Sequence, residues 1–341
     1  MFETFFKKYL TFKNITFILI LMVFLFFIFF CKGIAMMFFA CFVISCSLNP
    51  IVDNLSKKLP RGIATDIVTL GILILILAVF VPVCILSFNQ ISMFIDKLPT
   101  YIDNFDEFIF GLPVLKNLHF LADDADSIMG QLSISSSELF THAIDIGKNI
   151  GKACMYLLVS VIIIFNFVSD KTIIKNYCIK SFPPNLRKKA IKVGSIITDK
   201  MGGYVIALLA TSSSVSLVML IGLLILKIPY ALLLAVLAGV LDIIPIIGPT
   251  IAFIICVLAV YESGTTVILS VIGIFILAQL IENNVVRPYI FSKVMNIHPI
   301  VIFLFLFIAA EYIGVVGVIF APALATLVAV LYEELYLKKI N

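Results

Sequence analysis

Four polar side chains interrupt apolar stretches at positions where they could bind a proton or a cation. Asp242 and Glu311 each follow about a dozen apolar residues, and Gln279 and Glu282 stand one helical turn apart near the end of another apolar run. An acid near the centre of a membrane helix costs roughly 2.5–3.5 kcal/mol on insertion scales, so it needs a partner, a proton or an ion. We therefore predict substrate or ion binding at these four residues.

Simpler interpretations of the same residues stay open. The first two acids would merely be solvated if each stood at the tip of a helical hairpin near water. Gln279 and Glu282 belong to the run QLIENNVVRP (279–288), whose many polar groups would suit either a gate or a solvated helix end. We expect Asn284 and Arg287 in this run to be solvated where the apolar helix ends.

Proline and glycine follow both acids and should break the helices there. Proline lacks a backbone donor, and irregular backbone at membrane depth is tolerated only inside protein or beside a water-filled cavity. The stretches 229–260 and 299–331 each open with a proline, continue to an acid and then break, so they look like two copies of the same structural repeat. We predict helix-break and gating roles for Pro245, Gly248 and Pro249 in the first stretch and for Gly314, Gly317 and Pro322 in the second.

A cluster of hydroxyl groups lies in the middle of the apolar run 203–226. Hydroxyls can bond back to the preceding turn of their own helix, which makes them structural, or they can line a polar path. The residues predicted on the second interpretation to line a pathway are Thr211, Ser212, Ser213, Ser214 and Ser216.

The elements that must position these residues are membrane helices. Hydrophobic residues make up 62% of the 341 residues and charged residues only 13%, which excludes a water-soluble domain. Hydrophobic units long enough to cross a bilayer, or nearly so, occupy about 15–31, 33–49, 63–88, 151–168, 203–226, 229–260, 264–281 and 299–331. We predict an all-α polytopic membrane protein of about eight hydrophobic units, in which 229–260 and 299–331 are broken or re-entrant helical hairpins.

Small residues recur at every fourth position in both broken stretches. This spacing lets helix backbones approach closely, so these stripes should face protein rather than lipid. The stripes are Ala231, Ala235 and Gly239 in the first stretch and Gly317, Ala321, Ala325 and Ala329 in the second.

Charge divides the chain into regions and sets the expected orientation. The segment 169–202 holds eight Lys and Arg against two Asp, whereas 89–150 holds nine Asp and Glu against three Lys. Because Lys and Arg near membrane ends mark the cytoplasm, we expect 169–202 and both termini inside and 89–150 outside. The predicted regions are N-terminal transmembrane helices (1–88), an extracytoplasmic acidic helical insert (89–150), a transmembrane helix with a basic cytoplasmic loop (151–202) and a transport core with two hairpin-like repeats (203–341).

Two topologies are compatible with the broken stretches. If each crosses the membrane once, the loop 282–298 with Arg287 and Lys293 lies outside. If each is a re-entrant hairpin, the first enters from outside and the second from inside, and this loop lies on the cytoplasmic side, where its positive charges fit better. We favour the hairpins, since discontinuous helices that meet near the midplane are a recurrent way to build a transport site.

An ordered set of motifs runs through residues 229–325. It comprises PxxGP at Pro245, Gly248 and Pro249, the run with Gln279, Glu282 and Pro288, the pair His298-Pro299, and Gly314, Gly317, Ala321 and Pro322 in sequence. Together these motifs resemble the autoinducer-2 exporter (AI-2E) family of bacterial membrane proteins. The resemblance implies a homo-oligomeric secondary transporter, with a pentameric ring as one form. Some members export autoinducer-2, others resemble sodium/proton antiporters, and one branch is associated with sporulation.

The chain departs from the family pattern at Asp242 and Glu311, where the family more often has asparagine and a small or apolar residue. Both departures add an acid, which favours cation or proton coupling over a neutral furanone substrate. We therefore predict a secondary transporter, an exporter of a small solute coupled to protons or sodium, in the bacterial cytoplasmic membrane. A passive oligomeric pore and a non-transporting protein of the sporulation type are the alternatives.

Motifs for other chemistry are missing from the sequence. It contains no HExxH, GxSG or GxGD, which argues against an intramembrane protease, and no GxxxxGK[ST], which argues against direct use of ATP. Its seven cysteines and three histidines show no metal-ligand spacing, so we expect no metal and no cofactor. The expected partners are the lipid bilayer, other copies of the chain and a small-molecule or cation substrate, and not nucleic acid.

Overall fold

The structure, a computed structural model, describes residues 22, 30–74, 155–184, 186–228, 231–295 and 297–335. These residues form helices and connecting turns without a strand, which confirms the all-α prediction. The helices are α1 (Lys32–Leu55), α2 (61–74), α3 (Met155–Ser169), α4 (Lys171–Ser181), α5 (Arg187–Ile225), α6 (Ala231–Asp242), α7 (Ile247–Ala259), α8 (Thr265–Ile281), α9 (Arg287–Val294), α10 (Pro299–Tyr312) and α11 (Val315–Leu335). A 3-10 turn (Tyr261–Ser263) precedes α8, and a π helix (Glu282–Val286) joins α8 to α9.

Among the described residues, four helical stretches are long and apolar enough to cross a membrane. They are Lys32–Leu55, Arg187–Ile225, Thr265–Phe291 and Val315–Glu334, and α3 with α4 adds a candidate that is bent by 76°. This pattern confirms the predicted polytopic membrane protein. The acidic insert 89–150 and nearly all of the first hydrophobic unit lie outside the described residues, so the division into four regions stays a prediction.

α5 is the central helix of the described structure. It has 39 residues, which at 1.5 Å per residue gives a length of about 58 Å, nearly twice the hydrocarbon core. It packs against α1, α4, α6, α8, α9 and α11. Its first turns come from the segment 169–202, which was expected to be a cytoplasmic loop but is mostly helical. Lys, Arg and Ala favour helix, so the basic sequence continues the apolar helix beyond the bilayer instead of ending it.

Both broken stretches fold as helical hairpins. α6 packs against α7 across the break at 243–246, and α10 packs against α11 across the break at 313–314. With 12 and 13 residues, α6 and α7 are each about 18–20 Å long and too short to cross a ~30 Å hydrocarbon core alone. The second hairpin differs, because α11 has 21 residues and is long enough to cross.

The small-residue stripes face protein, as predicted. On α6, Ala235 is 1% exposed and packs against α5, and a Cβ added to Gly239 would lie 2.0 Å from the Ser216 hydroxyl. On α11, Ala321 and Ala325 are fully buried. Small side chains therefore let α6 and α11 approach their neighbours more closely than larger residues would allow.

Contacts along α5 show how the two hairpins are placed. Ser216 and Ser212 of α5 donate hydrogen bonds to the carbonyls of Ala235 (2.9 Å) and Gly239 (2.6 Å), so α6 runs antiparallel to α5 from its C-terminal end. Tyr204 donates to the carbonyl of Ile319 (2.5 Å), and Lys192 forms an ion pair with Glu334 (3.5 Å), so α11 runs antiparallel to α5 toward its basic end. Extending both helices at 1.5 Å per residue places the two hairpin tips at the same level, about residue 210 of α5.

Candidate ion-binding site

Asp242 ends α6 at the tip of the first hairpin and is buried, with 6% of its surface exposed. Gln279 of α8 donates a long hydrogen bond of 3.4 Å from its side-chain amide to Oδ1 of Asp242. The other carboxylate oxygen, Oδ2, is buried and has no hydrogen-bond partner among the residues that the structure describes. Asn283, which is exposed, donates at 3.5 Å to the amide oxygen of Gln279 and extends this polar contact toward the surface.

Glu282 follows one turn after Gln279 and is fully buried. Both contacts of its carboxylate with Arg287 involve Oε1, at 2.6 Å from Nη2 and 2.8 Å from Nε. Oε2 is buried and accepts no hydrogen bond from the described part of the chain. Arg287 itself is 45% exposed, so the ion pair connects a buried anion to a cation at the edge of the fold.

The π helix at Glu282–Val286 brings this ion pair together. In an α-helix, residues five apart point about 140° away from each other, at 3.6 residues per turn. Here the N–H of Arg287 bonds to the carbonyl of Glu282, which is the wider i→i+5 turn of a π helix, and the two side chains meet on one face. Single π turns inside α-helices occur frequently at functional sites.

Charge within the cluster formed by Asp242, Gln279, Glu282 and Arg287 does not balance. The two carboxylates repel each other electrostatically, and the one guanidinium attracts both. If both acids were ionised, the cluster would carry a net charge of minus one at a buried position, which is costly in a medium of low dielectric constant. A proton or a monovalent cation bound at either unpaired oxygen would bring the net charge of the cluster to zero.

The turn beside Asp242 has an unusual backbone. Ile246 has φ 71° and ψ −59°, and the N–H of Ile247 bonds to the carbonyl of Pro245 at 2.8 Å, which is the strained form of the γ-turn. Gly248 follows, and a Cβ there would lie 1.7 Å from the carbonyl oxygen of Leu241, so the close return of the chain requires glycine. Pro249 lies in the first turn of α7, where its missing N–H would have no helical partner in any case.

The second hairpin turns at Gly314, which has φ 90° and donates to the carbonyl of Ala309 at 2.9 Å. Gly317 packs tightly against Ile313, since an added Cβ would lie 2.6 Å from the Ile313 Cβ. The prediction of a break at Pro322 is wrong, because α11 continues through this buried proline without interruption.

Glu311 lies on α10 near the second tip and is exposed. Among the described residues it forms no hydrogen bond or ion pair, so the structure does not bring it into contact with Asp242 or Glu282. This placement matches the solvated interpretation of Glu311, whereas the burial of Asp242 does not match that interpretation for the first acid. A binding role for Glu311 stays a prediction.

The hydroxyl cluster of α5 is largely bonded to backbone. Ser212 and Ser216 bridge to α6 as described above, while Thr211 and Ser214 bond back to the carbonyls of Leu208 (3.0 Å) and Thr211 (2.7 Å). Ser213 is exposed. These bonds give four of the hydroxyls a structural role, and lining of a pathway stays a prediction.

Comparison with known proteins agrees with this architecture. The model of the family described as "AI-2E family transporter" matches residues 17–337. The chain is 28% identical over 305 residues to Putative transport protein YrrI of Bacillus subtilis, covering 83% of this chain and 82% of that protein. It is 26% identical over 299 residues to Putative transport protein MJ1177 of Methanocaldococcus jannaschii, covering 85% and 86%. It is 25% identical over 311 residues to Putative permease PerM of Escherichia coli K12, covering 88% and 87%.

The chain belongs to the AI-2E transporter family. The family resemblance noted in the sequence is thereby confirmed over nearly the whole chain, and the protein is a multi-pass membrane transporter of that family.

In this AI-2E transporter the sequence-based analysis missed Arg287. It was expected to be solvated at the end of the apolar helix, but that helix does not end there and continues through the π helix into α9. The spacing of Glu282 and Arg287 gives no indication of contact in an ordinary α-helix. Charge balance could have found the residue, because a buried acid calls for a cation nearby.

Proposed function

We propose that this AI-2E transporter is a secondary transporter whose coupling ion, a proton or sodium, binds at the cluster of Asp242, Gln279, Glu282 and Arg287. One observation carries the proposal: Asp242 and Glu282 are both buried near a single guanidinium, which pairs with Glu282 only, and within the described residues each acid has a buried oxygen without a hydrogen-bond partner. Carboxylate oxygens are suitable ligands for sodium and acceptors for a proton. Ionisable residues inside a membrane commonly mark ion pathways and proton relays.

In this mechanism, loading and release of the ion change the charge at the first hairpin tip. The loaded cluster is neutral and suits an occluded site, whereas the empty cluster is anionic and favours access to water. Asn283 and Gln279 connect the outer edge of the fold with Asp242, and they provide a polar route for the ion. The solute would use the same alternation, and the resemblance to autoinducer-2 exporters favours export as its direction.

A series of contacts joins the ion site to the second hairpin. Arg287 lies over the ring of Phe291 at 5.8 Å, Phe291 meets Tyr204 edge to face at 6.3 Å, and Tyr204 bonds to the Ile319 carbonyl of α11. Movement of Arg287 on ion binding would therefore shift Phe291 and Tyr204 and, through them, α11. On this arrangement we propose that the two hairpins move as a coupled unit.

We also propose a homo-oligomer in the bacterial cytoplasmic membrane, with both termini inside and a pentamer as one form. The outward face of α10 supports association in the membrane. It exposes Ile300, Phe303, Leu304 and Phe307, with exposed fractions from 45% to 75%, and this apolar face would contact lipid or a second copy.

Flux in proteoliposomes tests the proposed coupling. The protein is reconstituted with a pH-sensitive dye inside, and proton movement is followed after an imposed sodium gradient or after addition of each of a panel of small metabolites. We expect proton flux with the wild type and loss of at least roughly ten-fold in Asp242→Asn and in Glu282→Gln, since each change removes one carboxylate from the ion site.

Glu311→Gln, which neutralises an exposed acid on the other hairpin, tests whether the ion site extends beyond the cluster. Unchanged flux would restrict ion binding to the cluster, in line with the lack of contact between Glu311 and its residues, whereas loss of flux would support the predicted binding role of Glu311. A current that follows voltage alone and persists in all three variants would instead identify a passive pore.

A further inference from the structure

A cavity of about 370 Å³ lies at the basic end of the bundle, away from the ion site. It is enclosed by the second half of α1, the end of α3, the underside of α4 and the first turns of α5. Most of its wall is apolar and includes Phe42, Phe167, Ile174, Ile179, Ile197 and Leu331. Its volume falls within the range of ligand-binding pockets, and its apolar wall suits a hydrocarbon chain.

The edge of this cavity is positively charged. Lys171 and Lys175 of α4 both line it. Lys171 forms an ion pair with Asp53 at 2.7 Å, whereas Lys175 is exposed and has no hydrogen bond or ion pair with any described residue. The cavity therefore offers one cation that the described protein leaves unneutralised.

The position of α4 gives the cavity the geometry of a lipid site. α4 bends by 76° from α3, so it lies across the end of the bundle instead of extending the membrane span. It contains three lysines and no acid, and Ile174, Cys178 and Ile179 line the cavity on its underside. Because Lys171 and Lys175 line the cavity together with these residues, α4 places positive charge beside the apolar wall, an arrangement that suits the interfacial layer of a membrane.

We propose that this cavity binds an anionic phospholipid, with an acyl chain against the apolar wall and the head group at Lys175. Basic pockets between membrane helices on the cytoplasmic side are known to bind anionic head groups, and the positive-inside rule assigns the basic end of the bundle to that side. The phosphate of a zwitterionic lipid could also approach Lys175, but such a lipid brings its own cation and would leave the net charge of the site unchanged. The charge of Lys175 therefore favours anionic over zwitterionic phospholipids. This preference does not depend on which solute the protein transports.

Gly194 provides a variant that fills the cavity without a local clash. It lines the cavity from α5, and an added Cβ would meet no atom within 4 Å. Gly194→Leu should therefore occupy the acyl site while preserving the helix. Gly273→Leu is the matched control, since Gly273 lies in α8, outside the cavity, and its Cβ would likewise meet nothing within 4 Å.

Native mass spectrometry of the full chain in neutral detergent tests the proposal. Phosphatidylglycerol and phosphatidylcholine with identical acyl chains are added in equal amounts, and bound lipids are counted. We expect the wild type and Gly273→Leu to retain phosphatidylglycerol preferentially. Lys175→Gln should lower this preference roughly five-fold, as expected for one lysine at an anionic surface. Lys180→Gln, which changes a lysine of the same helix that does not line the cavity, should leave the preference unchanged.

Other outcomes would overturn the proposal in distinct ways. Loss of binding in Lys175→Gln but not in Gly194→Leu would mean that the head group binds a charged surface without the cavity. Displacement of the lipid by glycerol phosphate at the same concentration would identify a free-phosphate site. Equal retention of both lipids, or no retained lipid because residues of the chain itself fill the cavity, would also refute it.

Discussion

Glu282 is the residue at which burial and charge conflict most clearly. It is fully buried, yet one of its two carboxylate oxygens has no hydrogen-bond partner in the described structure, and its counterion Arg287 is 45% exposed. A purely structural ion pair in a protein interior is normally completed by further hydrogen bonds, because desolvation otherwise exceeds the Coulombic gain. The incomplete pairing at Glu282 and Asp242 therefore supports the proposal that an ion binds there.

Removing the guanidinium should destabilise the protein strongly. Arg287→Gln leaves two buried carboxylates without a counterion, and we expect a loss of about 3 kcal/mol, the lower end of the range for breaking a buried pair, since Arg287 is partly exposed. Thermal unfolding in detergent measures the effect. Lys188→Gln, which removes an exposed cation from α5, should have no measurable effect.

The double variant Glu282→Gln/Arg287→Gln separates charge from packing. It removes the anion together with its counterion and should recover most of the lost stability. If it were as unstable as Arg287→Gln alone, the role of Arg287 would be packing on Phe291 and not charge neutralisation.

The serines of α5 allow a test of their two interpretations. Ser212→Ala and Ser216→Ala each remove a hydrogen bond to α6, and we expect each to cost about 0.6 kcal/mol, the average for such bonds between membrane helices. Ser213→Ala is the control, because Ser213 is exposed and should not affect stability. Unfolding and flux are measured on the same preparations.

The flux measurement distinguishes a structural role of these serines from a role in lining a transport pathway. If they are structural, flux per folded molecule should stay at the wild-type value. A fall in flux at unchanged stability, above all in Ser213→Ala, would instead support the prediction that they line a path.

Residue types alone were enough to select most of the candidate site. Asp242, Gln279 and Glu282 attract attention because polar groups are expensive in apolar helices, and the structure places all three together. The spacing of residues did not indicate Arg287, since its contact with Glu282 depends on a π turn, and only the need of a buried acid for a nearby cation could have pointed to it. Glu311 was selected by the same cost argument as Asp242, but the argument cannot tell a buried acid from one exposed on an outward helix face.

At the scale of elements, the first hairpin depends on a glycine. Gly248→Ala should destabilise the protein by roughly 1–3 kcal/mol or open the hairpin, because the new Cβ would lie 1.7 Å from the Leu241 carbonyl oxygen. Gly273→Ala in α8 is the control and should be slightly stabilising, since alanine favours helix over glycine and meets no neighbour. Thermal unfolding compares the two, and equal stability would show that the tight return at Gly248 is not needed.

The positions of the breaks were predictable, but the course of the chain on either side was less so. Proline and glycine close to an acid indicated both breaks, and both are present. Pro322 did not break α11, because backbone context decides whether a proline interrupts a helix. The basic segment 169–202 was expected to be a loop on charge alone, although charge sets only which side of the membrane a segment occupies, and Lys and Arg are good helix formers.

At the scale of the whole molecule, both hairpins pack against α5, which sets their positions relative to one another. The first hairpin follows α5 from its C-terminal end, the second extends from its basic end, and the tips reach the same level within its apolar part. Opposed helix breaks at one depth are a feature of secondary transporters, where helix ends and unpaired backbone groups face the substrate. The sequence pattern predicts where each helix lies in the chain, but it does not predict that the two hairpin tips meet at the same level. That placement depends on which faces of α5 the hairpins pack against.

The re-entrant arrangement predicts the side on which residues 290–296 lie. If the first hairpin returns to the side it entered, α8 carries the chain to the cytoplasm and these residues are inside. Contacts support this placement, since Val294 packs on Gly203, toward the basic end of α5. Single cysteines at Ser292 and Lys293, in a chain whose seven native cysteines are replaced, should react with an impermeant maleimide in inverted membrane vesicles and not in intact cells.

Two further cysteines calibrate this labelling experiment. Lys57→Cys lies in the basic connection between α1 and α2 and should label from inside, whereas Ser133→Cys lies in the acidic insert and should label from outside. Labelling at 292 and 293 together with Ser133→Cys in intact cells would mean that the first broken stretch crosses the membrane. The ion site would then lie within a continuous span, and the two hairpins would no longer approach one another from opposite sides of the membrane.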